Sequence, residues 1–555
     1  MKVFTLLKRN WQIVLLLVLG VSICWPLFVR GYFPHHDDLQ VIRIFEMRRC
    51  LADFQIPCRW VPDMGYGNGF PLFNFYGVLP YYLGALVSFV AGYIASAKFL
   101  FLVSLLGGGL GIYFLVKKLF GVNPALVAGS LYLLAPYRAL DAYVRGAVAE
   151  LFAMSLVPFV LLFFYKFIKE RSKSSFVLAT LFLAAFLITH NIMTILFTPV
   201  LAIFMIFWLW QEKFNNLKGV IVATVVGFGL AAFFILPAFL EKSLVQTEAL
   251  TRFELDFRAH FVSVKQLFWD RTWGYGASIL GTGDTISFQI GWPLWWTVLA
   301  ATAVLFLKKV KREHKLLALI LLGLFTFSIF MTHNKSAFIW ERISILKFFQ
   351  FPWRFLSLTI FSASLLAGFA VSALGERWKL TVSVLIIVLA FVLNWEYFAP
   401  RDFYYGLSDS QKLTGAAWEE QQKGAILDYL PRTASEPKEK APVAPFVVSG
   451  MASVKDFINK SNGFSFKAEV ARTSQIELPV FYFPGWKVQV DGKEEAVYHQ
   501  NLLGRIAVNL ERGSHTVAGK FTNTPIRAVA NAVSLVSALL FLTALVYGKS
   551  KKIFR

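Results

Sequence analysis

Four consecutive polar residues, His35-His36-Asp37-Asp38, directly follow the first segment of the chain that is long and apolar enough to cross a bilayer. Charged side chains held at a membrane face are costly and are usually functional. Carboxylates and imidazoles at such a place can accept a proton or bind a metal ion. Alternatively, Asp38 could be the N-cap of a helix with a solvated acidic neighbour. The motif therefore predicts a catalytic base or a metal ligand, and a helix cap is the structural alternative.

A second group of charged residues, Asp141, Arg145 and Glu150, lies where the next outer loop enters an apolar segment. Each charge needs a partner once it enters an apolar helix. One interpretation is a structural ion pair between Arg145 and Glu150. The other is that one of the acids joins the site of the first group while Arg145 binds an anion. The spacing leaves both interpretations open.

Basic and aromatic residues are mixed between Trp340 and Arg354, immediately before another apolar segment. Arg342 and Arg354 could bind a lipid phosphate there, with the aromatic rings at the membrane interface. The structural alternative is a general aromatic belt with cations that reach the headgroups. Arg59, in the first outer loop, is a further candidate for binding a phosphate.

The composition of the 555-residue chain is that of a polytopic membrane protein, with 57% hydrophobic and 17% aromatic residues. The net charge is +22, from 55 Lys and Arg against 33 Asp and Glu. Much of this excess lies in short loops, where it sets topology, so nucleic acid is not expected as a partner. Cys24 lies in the first span, whereas Cys50 and Cys58 share the first outer loop and could form a disulfide.

Apolar runs of spanning length predict about twelve transmembrane helices. They lie near 11–29, 98–116, 122–136, 147–167, 175–190, 192–210, 218–239, 289–307, 315–331, 355–374, 379–397 and 527–547. With twelve spans, every cluster of Lys and Arg between them is cytoplasmic, and so are both termini. The run from Leu79 to Tyr93 would break this parity if it crossed, so it is predicted to be re-entrant or interfacial. An ordinary span there is the alternative, and it would move every later loop to the other side.

The predicted organisation is a transmembrane module, residues 1–397, followed by an outer domain and a last span. The outer loops of the module are 30–97, 137–147, 240–288 and 332–354. Residues 398–526 form an extracytoplasmic domain in which alternating runs are separated by turn signals such as Asp491-Gly492, a pattern typical of an antiparallel β-sandwich. Residues 527–555 are the C-terminal span with a basic cytoplasmic tail. No Walker or GxGxxG motif is present, so the sequence does not indicate ATP as an energy source.

Several motifs in the first 400 or so residues resemble a family of bacterial multi-pass membrane proteins described as related to 6-pyruvoyl-tetrahydropterin synthase. They are His35-His36-Asp37-Asp38-Leu39, Pro57-Cys58-Arg59-Trp60, the run from Gly65 to Tyr76, and Gln350-Phe351-Pro352-Trp353-Arg354. Three later motifs are similar to the C-terminal region of large bacterial membrane glycosyltransferases. They are Tyr482 to Trp486, Asp491-Gly492 and Gly513-Ser514-His515. The whole architecture is similar to that of the GT-C glycosyltransferase class.

The resemblance to the GT-C class implies a catalytic acid in the first outer loop, a position that Asp37 or Asp38 matches. A second acid in the next outer loop often assists, and Asp141 or Glu150 matches it. The class uses sugars linked to polyprenyl phosphate, commonly with a divalent metal such as Mg, Mn or Zn. The candidate metal ligands are His35, His36, Asp37 and Glu150. The first loop lacks a spaced Asp-x-Asp pair, and no zinc site like that of the soluble synthase is found in the sequence.

The sequence therefore predicts an inverting GT-C-type glycosyltransferase in the bacterial plasma membrane. It would move a sugar from a polyprenyl-phosphate donor to a lipid, glycan or protein acceptor at the outer face. Asp38, with Asp37 as the alternate, would deprotonate the acceptor hydroxyl. The candidates for binding the donor phosphate are Arg354, Arg145, Arg59 and Arg342. The alternatives are a transporter or flippase of lipid-linked saccharide, which would use the same charges, and a non-catalytic membrane scaffold.

Overall fold

The structure is a computed structural model that describes residues 11–281 and 283–547. The predicted cytoplasmic residues Lys2, Lys8 and Arg9 and the basic tail from Lys549 lie outside these ranges. The described chain forms a helical bundle, one antiparallel sheet and a final helix. The predicted class, a helical membrane protein with a β region near its C-terminus, is therefore confirmed.

The helical part contains α-helices, one π-helical turn and several 3₁₀ turns. The longer α-helices of the described ranges are α1 (Trp11–Ile23), α2 (Gln40–Ala52), α3 (Leu79–Ala91), α4 (Tyr93–Phe120), α5 (Val122–Leu133), α6 (Val148–Glu170), α7 (Lys173–Leu187), α8 (Asn191–Gln211), α9 (Leu217–Leu240), α10 (Trp292–Val304), α11 (Arg312–Thr332), α12 (Leu356–Ser372), α13 (Glu376–Asn394), α14 (Gly415–Lys423) and α15 (Pro525–Tyr547). Shorter α-helices are Trp25–Phe28, Leu72–Phe75, Pro136–Leu140, Val264–Phe268, Ala337–Arg342 and Asp409–Lys412. The π-helical turn is Asp141–Arg145, and the 3₁₀ turns are Lys242–Leu244, Thr247–Thr251, Phe253–Leu255, Phe257–His260, Asn334–Ser336, Ser344–Phe349, Pro352–Phe355, Trp395–Tyr397 and Ile426–Asp428.

Eight helical segments of the described chain are long and apolar enough to cross a membrane. They are Tyr93–Phe120, Val148–Glu170, Asn191–Gln211, Leu217–Leu240, Arg312–Thr332, Pro352–Ser372, Glu376–Tyr397 and Pro525–Leu545. Four other predicted spans coincide with the shorter apolar helices α1, α5, α7 and α10. At 1.5 Å per residue these helices are about 18–23 Å long, below the ~30 Å of the hydrocarbon core. The count of twelve spans therefore stays a prediction.

Basic clusters at three helix ends lie together at one end of the bundle. Lys118, near the end of α4, forms an ion pair of 3.4 Å with Glu170 at the end of α6. Lys169 pairs at 2.6 Å with Glu212, which directly follows α8. These three ends therefore share one side, in agreement with the side that the positive-inside rule assigns to them.

We expect cysteine labelling with a membrane-impermeant maleimide to separate the two faces, because basic loops stay in the cytoplasm. Positions 117, 171, 213 and 311 should be protected in intact cells, and positions 36, 260, 340 and 450 should be labelled. Permeabilised cells, in which every exposed position reacts, are the control. Protection of position 450 would place the sheet in the cytoplasm and would contradict the outer location of the site described below.

The run predicted to be re-entrant or interfacial is a separate 13-residue helix, α3. It packs against α2 and α4. Tyr81 and Ala85 are buried in this contact, whereas Phe89 on the other side of the helix is exposed. Gly92, with φ of 82°, then turns the chain directly into α4, a conformation that favours glycine. At 13 residues α3 is about 20 Å long, and its interfacial placement stays a prediction.

Helix α12 is enclosed by protein along almost its whole length. Its side chains are buried from Leu356 to Val371, and it packs against α5, α10 and α11. An apolar helix buried on every side belongs to the interior of a large bundle. The 3₁₀ turn directly before it, Pro352–Phe355, is thereby held by the rigid centre of the molecule.

Six strands form one antiparallel sheet after the helices. They are β1 (Phe446–Lys460), β2 (Gly463–Phe481), β3 (Trp486–Val490), β4 (Lys493–Glu495), β5 (Arg505–Leu510) and β6 (Gly513–Phe521). The strand order is β1-β2-β6-β3-β4, and β5 pairs with the second half of β2. Because the 19-residue β2 is a partner of β1, β5 and β6, the described strands belong to one sheet. The predicted antiparallel pairing is therefore confirmed, and the arrangement as a β-sandwich stays a prediction.

The first outer loop lies between the helices and the sheet and contacts both. A disulfide bond joins Cys50 to Cys58. The Asn68 side chain accepts a hydrogen bond of 2.7 Å from Arg505 of β5. Trp60 packs edge-on against a tryptophan of β3, with 5.6 Å between the ring centroids. These contacts fix the loop that carries the Gly65-to-Tyr76 motif.

Buried charges join the first outer loop to the last helix. Glu241, at the end of α9, forms a buried ion pair of 2.8 Å with Arg527 in the first turn of α15. Arg59 donates a hydrogen bond of 2.9 Å to the side chain of Asn531, also in α15. Since a buried charge without a partner is strongly destabilising, these pairs hold α15 against the loop and the sheet.

Candidate active site

A cavity of about 1390 Å³ lies between the first outer loop, the starts of α6 and α8, the end of α9 and segment 412–429. It is larger than a typical small-molecule pocket of about 300–1,000 Å³. Its polar lining includes His36, Asp37, Asp38, Arg43, Arg145, Glu150, His190, Arg354, Lys412 and Asp428. Its apolar lining includes Leu187, Ile195, Phe234, Phe239, Leu280, Ile345 and Phe351. The three groups of charged residues that the sequence analysis selected therefore contribute to one cavity.

The first two groups are joined through the backbone. The N–H of His36 donates to the carbonyl oxygen of Val144 at 3.0 Å, and the N–H of Asp37 donates to that of Arg145 at 2.9 Å. The Asp37 carboxylate then accepts a hydrogen bond of 2.7 Å from the buried guanidinium of Arg43. Asp37 is thus fixed in both its backbone and its side chain.

Asp38 is held by a residue that lies far away in the sequence. Lys412 Nζ donates to Asp38 Oδ2 at 2.5 Å, while Oδ1 of Asp38 has no hydrogen-bond partner among the described residues. Burial raises the pKa of Asp38, and the Lys412 ammonium acts in the opposite direction. Helix α2 begins at Gln40 with Leu39 as its N-cap, so the interpretation of Asp38 as a helix cap is wrong.

Glu150 is the centre of the second charged group. Its Oε1 accepts a hydrogen bond of 2.6 Å from the hydroxyl of Tyr137. Its Oε2 lies 3.1 Å from Arg145 Nη2 and 3.3 Å from Arg354 Nε. Arg145 also pairs with Asp141 within the π-helical turn. The structural ion pair between Arg145 and Glu150 is present, and Arg354 extends it to the third group.

Arg354 keeps part of its hydrogen-bonding capacity. Its Nη1 donates to the carbonyl oxygen of Phe349 at 2.6 Å and to the side chain of Gln350 at 3.2 Å. Gln350 adopts a φ of 62°, which is uncommon for a residue other than glycine and brings its side chain to the arginine. Nη2 makes no hydrogen bond to the described residues. Because Arg354 lines the cavity, this nitrogen is available to an anionic ligand.

Several charged or titratable residues of the cavity were not predicted as site residues from the sequence, among them Lys412, Asp428 and His190. Lys412 and Asp428 come from the polar stretch after α13, where no motif marked them. Burial raises the pKa of Asp428 to about 6. His190 accepts a hydrogen bond of 3.3 Å from the N–H of Met193 as the N-cap of α8, and burial lowers its pKa to about 3. A single histidine in an outer loop is a weak signal in a sequence.

Four of the candidate residues lie outside the cavity lining. Arg59 is part of the network that holds α15, and Arg342 is exposed at the end of Ala337–Arg342. Asp141 is fully buried beside Arg145. His35 stacks on Phe101 with 5.3 Å between ring centroids, and burial lowers its pKa to about 3. Arg59 and Arg342 therefore do not line the cavity together with Arg145 and Arg354.

The candidate metal ligands do not form a metal site. Within residues 11–281 and 283–547, no three His, Cys, Asp or Glu side chains are grouped so that they could hold an ion. Both oxygens of Glu150 are engaged by Tyr137, Arg145 and Arg354. The ring of His35 lies among aromatic side chains. The predicted set of His35, His36, Asp37 and Glu150 is thus not grouped as a metal site in the described residues, and dependence on a metal stays a prediction.

Comparisons with solved structures show likeness at low sequence identity. The arabinofuranosyltransferase AftD from Mycobacteria is 15% identical, with a TM-score of 0.46 over 72% of this chain and 29% of that one. The oligosaccharyltransferase of Archaeoglobus fulgidus, solved with a tethered acceptor peptide, is 14% identical, with a TM-score of 0.37 over 79% of this chain and 61% of that one. With TM-scores below 0.5, these likenesses leave the function to be argued from the cavity.

The sequence of the chain is similar to that of one curated protein and matches one family model. An uncharacterised protein of Lactococcus lactis subsp. cremoris (strain MG1363) is 26% identical over 253 residues, which are 41% of this chain and 40% of the relative. The chain thus aligns with less than half the length of this curated relative. The family model described as "6-pyruvoyl-tetrahydropterin synthase related domain; membrane protein" matches residues 73–400, more than half of the chain. The chain therefore belongs to the family of membrane proteins related to 6-pyruvoyl-tetrahydropterin synthase.

Proposed function

We propose that this protein is a membrane glycosyltransferase that moves a sugar from a polyprenyl-phosphate donor to an acceptor at the outer face. The observation that supports this function is a single cavity lined by Asp37 and Asp38, by Arg145 and Arg354, and by apolar side chains. A proton acceptor, a site for a phosphate and a surface for a lipid are the three parts that such a transfer requires.

The reaction begins with the acceptor hydroxyl. Asp38 takes the proton of this hydroxyl as its oxygen bonds to the anomeric carbon of the donor sugar. The bond between that carbon and the phosphate oxygen breaks, and its electron pair leaves with the lipid phosphate. Attack on the face opposite the leaving group inverts the anomeric configuration. The proton on Asp38 then passes to water.

The surroundings of the two carboxylates favour Asp38 over Asp37 as the proton acceptor. The Asp37 carboxylate is held by Arg43, whose side chain is only 3% exposed and whose charge stays beside it. Exposure does not separate the two carboxylates, since the side chain is 31% exposed in Asp38 and 33% exposed in Asp37, and Oδ1 of each takes no hydrogen bond from the described residues. The Lys412 ammonium favours the ionised form of Asp38, while burial increases the affinity of its carboxylate for a proton.

Arg354 and Arg145 are suited to stabilise the phosphate that leaves. The Nη2 group of Arg354 is unoccupied by the described residues, and the guanidinium of Arg145 stacks on Trp353 with 4.5 Å to the ring centroid. Glu150 orients both arginines at distances of 3.1 and 3.3 Å. Donors that are preorganised where charge develops contribute strongly to rate, since they need no rearrangement during the reaction.

The apolar side chains of the cavity form a surface on which the lipid of the donor can bind. Phe239, Leu280 and Ile345 line the cavity and are also 55%, 76% and 36% exposed. Apolar side chains that are exposed in a membrane-embedded chain can contact lipid directly. A polyprenyl chain can therefore remain in the bilayer while its phosphate reaches Arg354.

The ion pair of Asp38 predicts a shifted pH dependence for Lys412→Met. An opposite charge at this distance lowers the pKa of a carboxylate by about 1–3. Without it the pKa of Asp38 rises, Asp38 becomes protonated at higher pH, and the acid limb of kcat/KM against pH moves upward by about one pH unit or more. Lys412→Arg, which keeps the charge, should leave the limb near that of the wild type. An unshifted limb in Lys412→Met would exclude Asp38 as the titrating base.

The proposed function is tested by mass spectrometry of lipid-linked sugars and surface glycans in cells with and without the gene. We expect its loss to cause accumulation of one polyprenyl-phosphate sugar and loss of the same sugar from one surface glycan. A gene that encodes the Asp38→Asn protein should restore neither. If purified protein in vesicles moves the intact lipid-linked sugar across the bilayer without releasing lipid phosphate, the protein is a flippase and the proposal is wrong.

A further inference from the structure

Asp428 is an acidic residue of the cavity for which the proposed reaction has no role. It ends the 3₁₀ turn Ile426–Asp428, directly after Ala425, whose φ of 56° lies in the left-handed region. A residue other than glycine adopts this conformation only where its surroundings impose it, and such positions cluster at functional sites. On the other side, the carbonyl oxygen of Leu430 accepts a hydrogen bond of 2.9 Å from the N–H of Gln246. The N–H of Asp428 also donates to the carbonyl oxygen of Ala425 at 3.1 Å, so backbone contacts hold Asp428 at the cavity from both sides.

The carboxylate of Asp428 has no hydrogen bond or ion pair with the described residues. Arg43, whose charge acts on it, is already paired with Asp37 at 2.7 Å. The raised pKa of Asp428, about 6, is in line with burial without a close partner. This half-buried carboxylate faces the cavity and takes no donor from its own chain, so both of its oxygens are available to donors that a ligand supplies.

Aromatic rings lie next to this carboxylate. Tyr429 and Phe75 both line the cavity and stack at 5.6 Å between ring centroids, with 20° between their planes. Such rings offer a flat apolar surface beside the hydrogen-bonding carboxylate. The C–H face of a sugar ring matches a surface of this kind, and the hydroxyls at its edge are donors for a carboxylate.

The charged residues near Asp428 also restrict the charge that the ligand can carry. The carboxylates of Asp428 and Asp37 repel an anionic group. The charges of Arg43 and Arg354 act at the same place and disfavour a cation such as an ammonium group. An uncharged ligand that carries several hydroxyls meets neither repulsion.

We infer that Asp428, Tyr429 and Phe75 form a subsite for the acceptor, and that the acceptor is an uncharged saccharide. Arg145 and Arg354 then bind the donor phosphate in the same cavity. This inference rests on the proposed function, because it specifies the acceptor of that reaction. Of the lipid, glycan and protein acceptors that the resemblance allows, it selects the glycan.

Saturation-transfer NMR on the full chain in nanodiscs tests the subsite in the absence of donor. The probes are four neutral disaccharides: maltose, cellobiose, mannobiose and N,N′-diacetylchitobiose. We expect at least one of them to bind the wild type. Asp428→Ala should weaken that binding about tenfold to a hundredfold, since it removes a charge-assisted hydrogen-bond acceptor. Asp428→Asn keeps the shape of the side chain and is the variant to use if Asp428→Ala does not fold.

Glu419→Gln is the matched control. Glu419 lies on α14 of the same segment, is exposed and pairs with Lys440 outside the cavity lining. Its substitution should leave disaccharide binding unchanged. The inference is overturned if none of the disaccharides binds the wild type, if Asp428→Ala and Asp428→Asn bind as the wild type does, or if ethanolamine binds in their place. Because no donor is present, failure here is separate from failure of sugar transfer in cells.

Discussion

Asp38→Asn is expected to abolish sugar transfer while expression and membrane insertion remain near those of the wild type. Asn keeps the size of the side chain and an oxygen that can accept from Lys412 at the place of the 2.5 Å contact. It cannot take the proton of the acceptor hydroxyl, and loss of a general base lowers rates by about 10²–10⁴-fold. The measurement is turnover of a polyprenyl-phosphate sugar by purified protein, normalised to the folded fraction.

Asp37→Asn is the comparison for this substitution. It removes the partner of Arg43, whose buried guanidinium then lacks its counter-ion, so part of its effect is on stability. We expect the loss of rate per folded molecule to be smaller than for Asp38→Asn. If both variants turn over like the wild type, the acid–base assignment fails and the transporter alternative is favoured.

Arg354→Ala is expected to weaken use of the donor strongly, and Arg354→Lys to recover only part of it. A guanidinium can donate two parallel hydrogen bonds to a phosphate, whereas an ammonium acts as a point charge. Loss of a charge-assisted hydrogen bond costs about 1.5–3 kcal/mol, which is about one to two decades in donor kcat/KM. The measurement is donor dependence at saturating acceptor, with folded yield determined in parallel.

Arg342→Ala is the control for Arg354, because Arg342 is an exposed arginine of the same outer loop that lies outside the cavity lining. Its donor KM should remain that of the wild type. Arg354 also lies 3.3 Å from Glu150, so Arg354→Ala leaves that buried carboxylate with Arg145 as its remaining cation. If Arg354→Ala has a normal donor KM and a reduced folded yield, the role of Arg354 is structural and it does not bind the donor phosphate.

The location of the site was predictable because charge is rare in an apolar chain. Asp38, Glu150 and Arg354 each lie within a few residues of a hydrophobic segment. Because it is costly to bury a charge there, such residues are usually functional, and they could be identified as candidates from the sequence. Their presence in one cavity agrees with that argument. The same argument does not separate residues that face the cavity from a residue such as Arg59, which is buried in the interface with α15.

Lys412 and Asp428 could not be predicted, because they lie in a polar stretch where charged residues are ordinary. Their role depends on tertiary contacts with Asp38 and with the backbone near Gln246. Strand β1 was missed for a related reason. Its side chains are exposed or half-buried along the whole strand, so it lacks the alternation that a strand with one buried face shows.

The ion pair between Asp38 and Lys412 joins positions 374 residues apart, and this has a consequence for biogenesis. A ribosome delivers Asp38, Glu150 and Arg354 to the membrane before Lys412 and Asp428 have been synthesised. A nascent chain that has reached only residue 400 carries every motif recognised in the helical module, yet its cavity lacks one wall and the counter-ion of Asp38. The cavity is therefore complete only after the segment that follows α13 has been synthesised, and under the proposed function a partly made chain should not catalyse sugar transfer.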